Sequence, residues 1–164
     1  MKSRITIACA FALLAGCTTV GHSYPFPKDS EPAADLRIQG AGVYLLTLNE
    51  KGCYTGKTSV DGSPGAVPVK VVPGSPLVIS YEQNACMMPA TFTPQKDAHY
   101  LLIAEEGAKP SDPSSSFVGL LVHAPQRQCA VGVFELDGEG QPLKPVKVTA
   151  VRPRQTGLTC IKFR

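Results

Sequence analysis

Six cysteines, three histidines and the adjacent pair Glu105-Glu106 hold most of the reactive chemistry that this 164-residue chain can offer. Nucleophilic hydrolase chemistry of the Ser-His-Asp kind needs an elbow such as G-x-S-x-G, and none occurs; Gly74-Ser75-Pro76 reads as a turn. His99 and His123 stand at the ends of two apolar runs and approach one another only if those runs pair as strands; as lone imidazoles they read as surface or capping residues. Glu105 and Glu106 are neighbours, so a strand sends them to opposite faces and spoils them as a general acid/base pair. A cryptic enzyme would have to use Glu105, His99 and His123. The cysteines show neither the C-x-x-C nor the His spacing of a zinc site, and phosphate loops, dinucleotide fingerprints and calcium loops are also absent from the sequence. The expectation is therefore a protein without catalytic residues, cofactor or metal.

The first residues decide what the cysteines do. Lys2 and Arg4 precede an apolar run from Ile5 to Ala15. A spanning helix needs about twenty such residues, so the run has the length of a signal-peptide core. It ends in Leu14-Ala15-Gly16-Cys17, and here the chain resembles a bacterial lipoprotein precursor, matching the family's lipobox at all four positions. The resemblance implies a diacylglyceryl thioether on Cys17, cleavage before it and acylation of the new amino terminus. Three acyl chains hold a protein stably on a bilayer without a transmembrane helix. Thr18 follows the cysteine, where an Asp commonly retains Gram-negative lipoproteins in the inner membrane; the resemblance thus implies the outer membrane, and the domain is expected on its periplasmic side.

Cleavage changes the charge balance. The whole chain carries 16 Lys+Arg against 13 Asp+Glu; loss of Lys2 and Arg4 leaves 14 against 13. A near-neutral body outside the cytoplasm has neither the field nor the location for nucleic acid. Cys9 leaves with the signal peptide and Cys17 is acylated, so Cys53, Cys86, Cys129 and Cys160 remain in an oxidising compartment and read as two disulfides. Four cysteines allow three pairings. Cys53 with Cys86 and Cys129 with Cys160 is the favoured one, because each bond then closes a local segment of just over thirty residues, contributing roughly 3.5–4 kcal/mol on the loop-entropy model.

These residues need a frame. Fifteen Gly and fifteen Pro are too many for a helical bundle and too few for a low-complexity chain, and 164 residues support one core. The expected organisation is a signal peptide over 1–16, a lipidated flexible tether over 17–34 and one domain over 35–164. Residues 18–34 hold three prolines and no sustained apolar period, which predicts a solvated linker, with Tyr24 and Phe26 available to dock on the domain or the membrane. From Leu36 onward short β-branched or aromatic runs alternate with Gly, Pro, Asp and Ser: 43–48, 67–72, 77–81, 90–93, 99–104, 117–122, 129–136, 146–151 and 160–163. Val146, Val148 and Ala150 against Lys147 and Thr149 is a half-buried strand pattern. Residues 136–142 read as a hairpin loop, Pro68 belongs on an edge or a bulge, and residues 107–116 form a polar surface loop. The fold class is all-β: an antiparallel β-sandwich of immunoglobulin-like or transthyretin-like shape, with a small barrel as the alternative.

Two functional classes fit. One is a lipid-anchored, non-enzymatic envelope lipoprotein whose partners are the membrane, through its anchor, and an envelope protein or polymer. In architecture it resembles the small lipoproteins of secretion machines, which implies a place in an envelope assembly. The other is a periplasmic hydrolase inhibitor presenting 53–57 (Cys-Tyr-Thr-Gly-Lys) as a disulfide-anchored turn. Acids cease after Glu139, whereas Lys144, Lys147, Arg152, Arg154, Lys162 and Arg164 follow it. If the last strands are neighbours these cations share a face, either a solvated guard on an edge or a patch for lipopolysaccharide phosphates, an acidic polymer or an acidic partner.

Overall fold

The computed structural model describes residues 21–84, 86–106, 122–123 and 129–164. The signal peptide, the lipobox with Cys17, Thr18, the 107–116 loop and all but the last residue of the 117–122 run lie outside the described residues. Among those described there is no helix, and the strands are β1 (Ala34–Gln39), β2 (Val43–Leu48), β3 (Tyr54–Val60), β4 (Val69–Val71), β5 (Leu77–Gln83), β6 (Cys86–Phe92), β7 (His99–Glu106), β8 (Val122–His123), β9 (Cys129–Leu136), β10 (Pro142–Val146), β11 (Thr149–Ala150), β12 (Pro153–Gln155) and β13 (Ile161–Phe163). One sheet runs β10-β9-β7-β1-β4, with β8 also on β9; a second runs β11-β6-β5-β2-β3; β12 and β13 form a separate ribbon.

The two large sheets make the predicted sandwich. Alternation places Leu36 and Ile38 of β1, Tyr100, Leu102 and Ala104 of β7 and Val131 and Val133 of β9 on one inner face; Val43 and Leu45 of β2, Ile79 and Tyr81 of β5 and Met88, Ala90 and Phe92 of β6 meet them from the other. All are nearly excluded from solvent. Burying each of the larger side chains contributes about 1.5–3 kcal/mol. The pairing is antiparallel throughout except between β1 and β7, which run parallel with Asp35 opposite His99.

Several boundaries differ from the sequence reading for physical reasons. The alternating run 146–151 is not one strand: Val146 pairs with Val133 in the first sheet and Ala150 with Ala90 in the second. The chain thus crosses between sheets at Lys147–Val148, with Val146 and Val148 packed on the core and Ala150 exposed. β6 begins at Cys86 and runs through Pro89. Val151 N–H donates to the Pro89 carbonyl at 3.0 Å, so the side of Pro89 that lacks an N–H faces β11 and the β5 ladder is undisturbed. Pro68 immediately precedes the short edge strand β4. The β9–β10 hairpin is as read: Asp137 Oδ1 accepts from the N–H groups of Glu139 and Gln141 at 2.9 and 2.8 Å.

A third layer was not legible as such. Leu46, Val78 and Val151 form a second apolar cluster on the outer face of the second sheet, with Tyr44, Leu48, Tyr54 and Phe163 packed against it. The β12–β13 ribbon supplies Phe163, whose ring meets Tyr54 edge-on at 6.0 Å. This explains the unbroken apolar pairs Leu45-Leu46 and Val78-Ile79: the central strands of that sheet are buried on both faces.

Candidate functional site

The cysteines come together in a different pairing from the favoured one. Cys53 bonds Cys160 and Cys86 bonds Cys129, with Cα separations of 5.0 and 6.0 Å. Short loops do not decide the partners in a sandwich; opposed strands do. Cys86 opens β6 in one sheet and Cys129 opens β9 in the other, so their bond joins the two layers across the core, where both residues are buried. Cys53 stands just before β3 and Cys160 just before β13, so the second bond fastens the ribbon to the sandwich.

The histidines are not brought together. His99 begins β7 and its Nδ1 lies 3.1 Å from the Asp35 carboxylate on β1. His123 pairs through its backbone with Ala130, which lies opposite Glu105 near the far end of β7. Six residues of strand separate His99 from Glu105, about 20 Å. Glu105 and Glu106 are both exposed, and Glu106 accepts from Asn84 Nδ2 at 2.5 Å. Of the residues a cryptic enzyme would need, His99 therefore stands apart, whereas Glu105 and His123 share a register on either side of β9.

The 53–57 turn is a correction too. Tyr54–Val60 is the strand β3, and Lys57 is not free: it ion-pairs with Glu82 and its Nζ stands 4.2 Å over the Tyr44 ring. The hydrogen bond to Glu82 raises the Lys57 pKa above its ordinary value. The remaining tyrosines serve packing: Tyr81 and Tyr100 are in the core, and the Tyr100 hydroxyl accepts from Gln95 N–H at 2.9 Å.

The segment expected to be a solvated linker is docked from Gly21 onward. His22 N–H donates to Thr55 O at 3.2 Å, Tyr24 N–H to Thr58 Oγ1 at 2.7 Å, and Val72 N–H to the Tyr24 hydroxyl at 3.1 Å. Lys70 and Asp29 form an ion pair at 2.7 Å. This strap follows the edge strand β3 and reaches β4, closing one side of the sandwich and covering an edge that would otherwise invite pairing. Tyr24 is only 8% exposed, and burial raises its phenol pKa above 10.0. Three prolines suppress helix and strand without preventing burial of the aromatic ring that precedes the first of them.

An open cleft lies on the outer face of β1. Arg37 and Pro68 are shared by its two lobes of about 290 and about 420 Å³. One lobe is walled by Asp35, His99 and the 137–140 hairpin loop, with the Asp137 and Glu139 side chains among its lining; the other is lined by Ala66, Leu101 and the 62–65 turn. The Arg37 guanidinium lies beside Gly140. Nothing in the sequence marks Arg37, because only the β1 alternation places it outward between two loops.

The late cations divide. Lys144 pairs with Glu135 at 3.1 Å, whereas Arg152, Arg154, Lys162 and Arg164 all belong to the ribbon. Arg154 lies opposite Lys162, and Arg152 and Arg164 exchange backbone hydrogen bonds at 2.7 and 3.1 Å. Residues opposite one another, and residues two apart, share a face of an antiparallel pair, so these four cations form one face. No family model, curated protein or solved structure matches the chain.

Proposed function

We propose that the chain is a lipoprotein held by acyl chains on Cys17 in the outer membrane, facing the periplasm, and that its sandwich is a non-enzymatic binding module for an envelope protein or polymer. The observation that carries the anchor is the complete lipobox at residues 14–17. The distance of His99 from Glu105 and His123 supports binding over catalysis by that trio.

The cleft over β1 is the contact surface in this reading. Its two-lobed form fits an extended segment that places a carbonyl group on Arg37, among the carboxylates of Asp35, Asp137 and Glu139, and apolar groups against Ala66 and Leu101. The disulfide-stapled frame keeps the walls in place before the ligand arrives, which lowers the ordering cost of binding. Cross-linking in intact envelopes, followed by comparison of wild type with Arg37→Glu, tests the module. A product seen with wild type and lost with Arg37→Glu is the expected result; an identical set of products, or none from either protein, contradicts it.

A further inference from the structure

We infer that the β12–β13 ribbon is a second membrane contact, with its cationic face on anionic lipid headgroups and Leu158 in the acyl boundary. The inference rests on the lipoprotein reading for its orientation. Three features on the ribbon coincide. Arg152, Arg154, Lys162 and Arg164 share one face; Arg152, Arg154 and Arg164 are exposed, Lys162 is partly so, and no ion pair engages any of them among the described residues. The segment after Glu139 contains no acid. At the ribbon's tip, in the turn closed by Thr156 N–H on Cys160 O at 2.7 Å and by Gly157 at φ 86°, Leu158 is 96% exposed.

A hydrophilic polyanion gives no reason for that leucine. A bilayer surface does, because it offers phosphates and hydrocarbon within a few ångströms of each other. The opposite face of the ribbon is already committed: Phe163 packs on Tyr54 over the outer sheet. The cationic face and the tip are thus what the ribbon presents outward.

The described start of the strap points toward the same end. The Cys53–Cys160 bond ties the ribbon to the start of β3. The strap passes Thr55 with His22 and reaches Thr58 with Tyr24, so toward its amino terminus the chain heads for Cys53. Cys17 is four Cα–Cα steps from Gly21, a reach of at most about 14 Å. An acylated Cys17 therefore holds the bilayer near the ribbon. An acyl anchor joined to a basic patch is the two-signal arrangement that stabilises membrane attachment; here it would also fix which side of the domain faces outward and leave the β1 cleft on the other large sheet.

The chain contains no tryptophan, so Leu158→Trp introduces a single reporter at a site where a larger side chain meets no neighbour. The mature chain carrying Cys17→Ser and Leu158→Trp is mixed with vesicles of phosphatidylcholine alone, vesicles that also contain phosphatidylglycerol, and soluble polyphosphate. Blue-shifted emission that is quenched by brominated acyl chains only in the anionic vesicles, and reversed by salt, is the expected result. Changing Arg152, Arg154, Lys162 or Arg164 to Gln should weaken partitioning about fivefold each, with the melting temperature unchanged. Emission indifferent to anionic vesicles, or affinity for polyphosphate with no quenching by lipid, overturns the inference. Mass analysis of the amino-terminal peptide from envelopes tests the anchor separately. An acylated Cys17 with an unresponsive reporter leaves the lipoprotein reading intact and removes the ribbon contact. An unmodified Cys17 removes the anchor and with it this orientation.

Discussion

Gly56 shows how one residue can decide whether a segment is tether or structure. A Cβ built on it would stand 2.3 Å from the His22 carbonyl oxygen and 2.7 Å from the His22 nitrogen. Both are backbone atoms, so a side chain would push the strap away rather than rotate clear of it. Gly56→Ala should therefore cost about 1–3 kcal/mol, the range of overpacking, and speed tryptic cleavage after the exposed Lys28. An unchanged cleavage rate would show that the strap is held independently of this contact. Tyr24 makes the complementary point. Its ring was visible in the sequence as a docking candidate, but the two hydrogen bonds that hold it come from Thr58 and Val72, residues that only the folded sheet edges bring together. Arg37 is the same kind of case, since a lone Arg in a strand carries no signal until its neighbours are placed.

At the scale of elements, the strands with simple alternation were readable and those that change sheet or serve two layers were not. β7 and β9 carry their pattern locally, and each falls within two residues of its expected limits. The 146–151 run divides because the chain leaves one sheet for the other in its middle. β3 escaped notice because Tyr54–Val60 is rich in Thr, Gly, Lys and Ser, as suits an edge strand beneath a strap. The disulfides follow from the same topology. Cys86–Cys129 closes a separation of 43 residues and Cys53–Cys160 one of 107, for which the loop-entropy model gives about 4 and about 5 kcal/mol taken singly. The first loop lies inside the second, so these figures do not add. The two bonds should have distinct consequences. Removing Cys53 and Cys160 together, as alanines, should free the ribbon and expose Leu46 and Val78, read as binding of a hydrophobic dye to a still-folded sandwich. Removing Cys86 and Cys129 should lower the melting temperature of the whole domain. Equal behaviour of the two double variants, with the ribbon protected in both, would contradict this division.

For the whole molecule, composition and the pattern of short strands determined the class, an all-β sandwich with one principal core, and the sequence could carry that because burial on alternate residues is a local property. Layer order, the outer ribbon and the covered edge depend on long-range pairing and were not legible. The assembled picture is a stapled sandwich with an open cleft on the β1 sheet, a ribbon over the other sheet, and a strap from Gly21 onward that closes the side between the edge strands β3 and β4. The proposed function requires that Cys17 be acylated. The direct measurement is intact mass and fragmentation of the amino-terminal peptide of protein recovered from envelopes. The account predicts a chain beginning at Cys17 and carrying a diacylglyceryl thioether and an amide-linked acyl group; a chain that begins elsewhere, or a Cys17 without lipid, would contradict it.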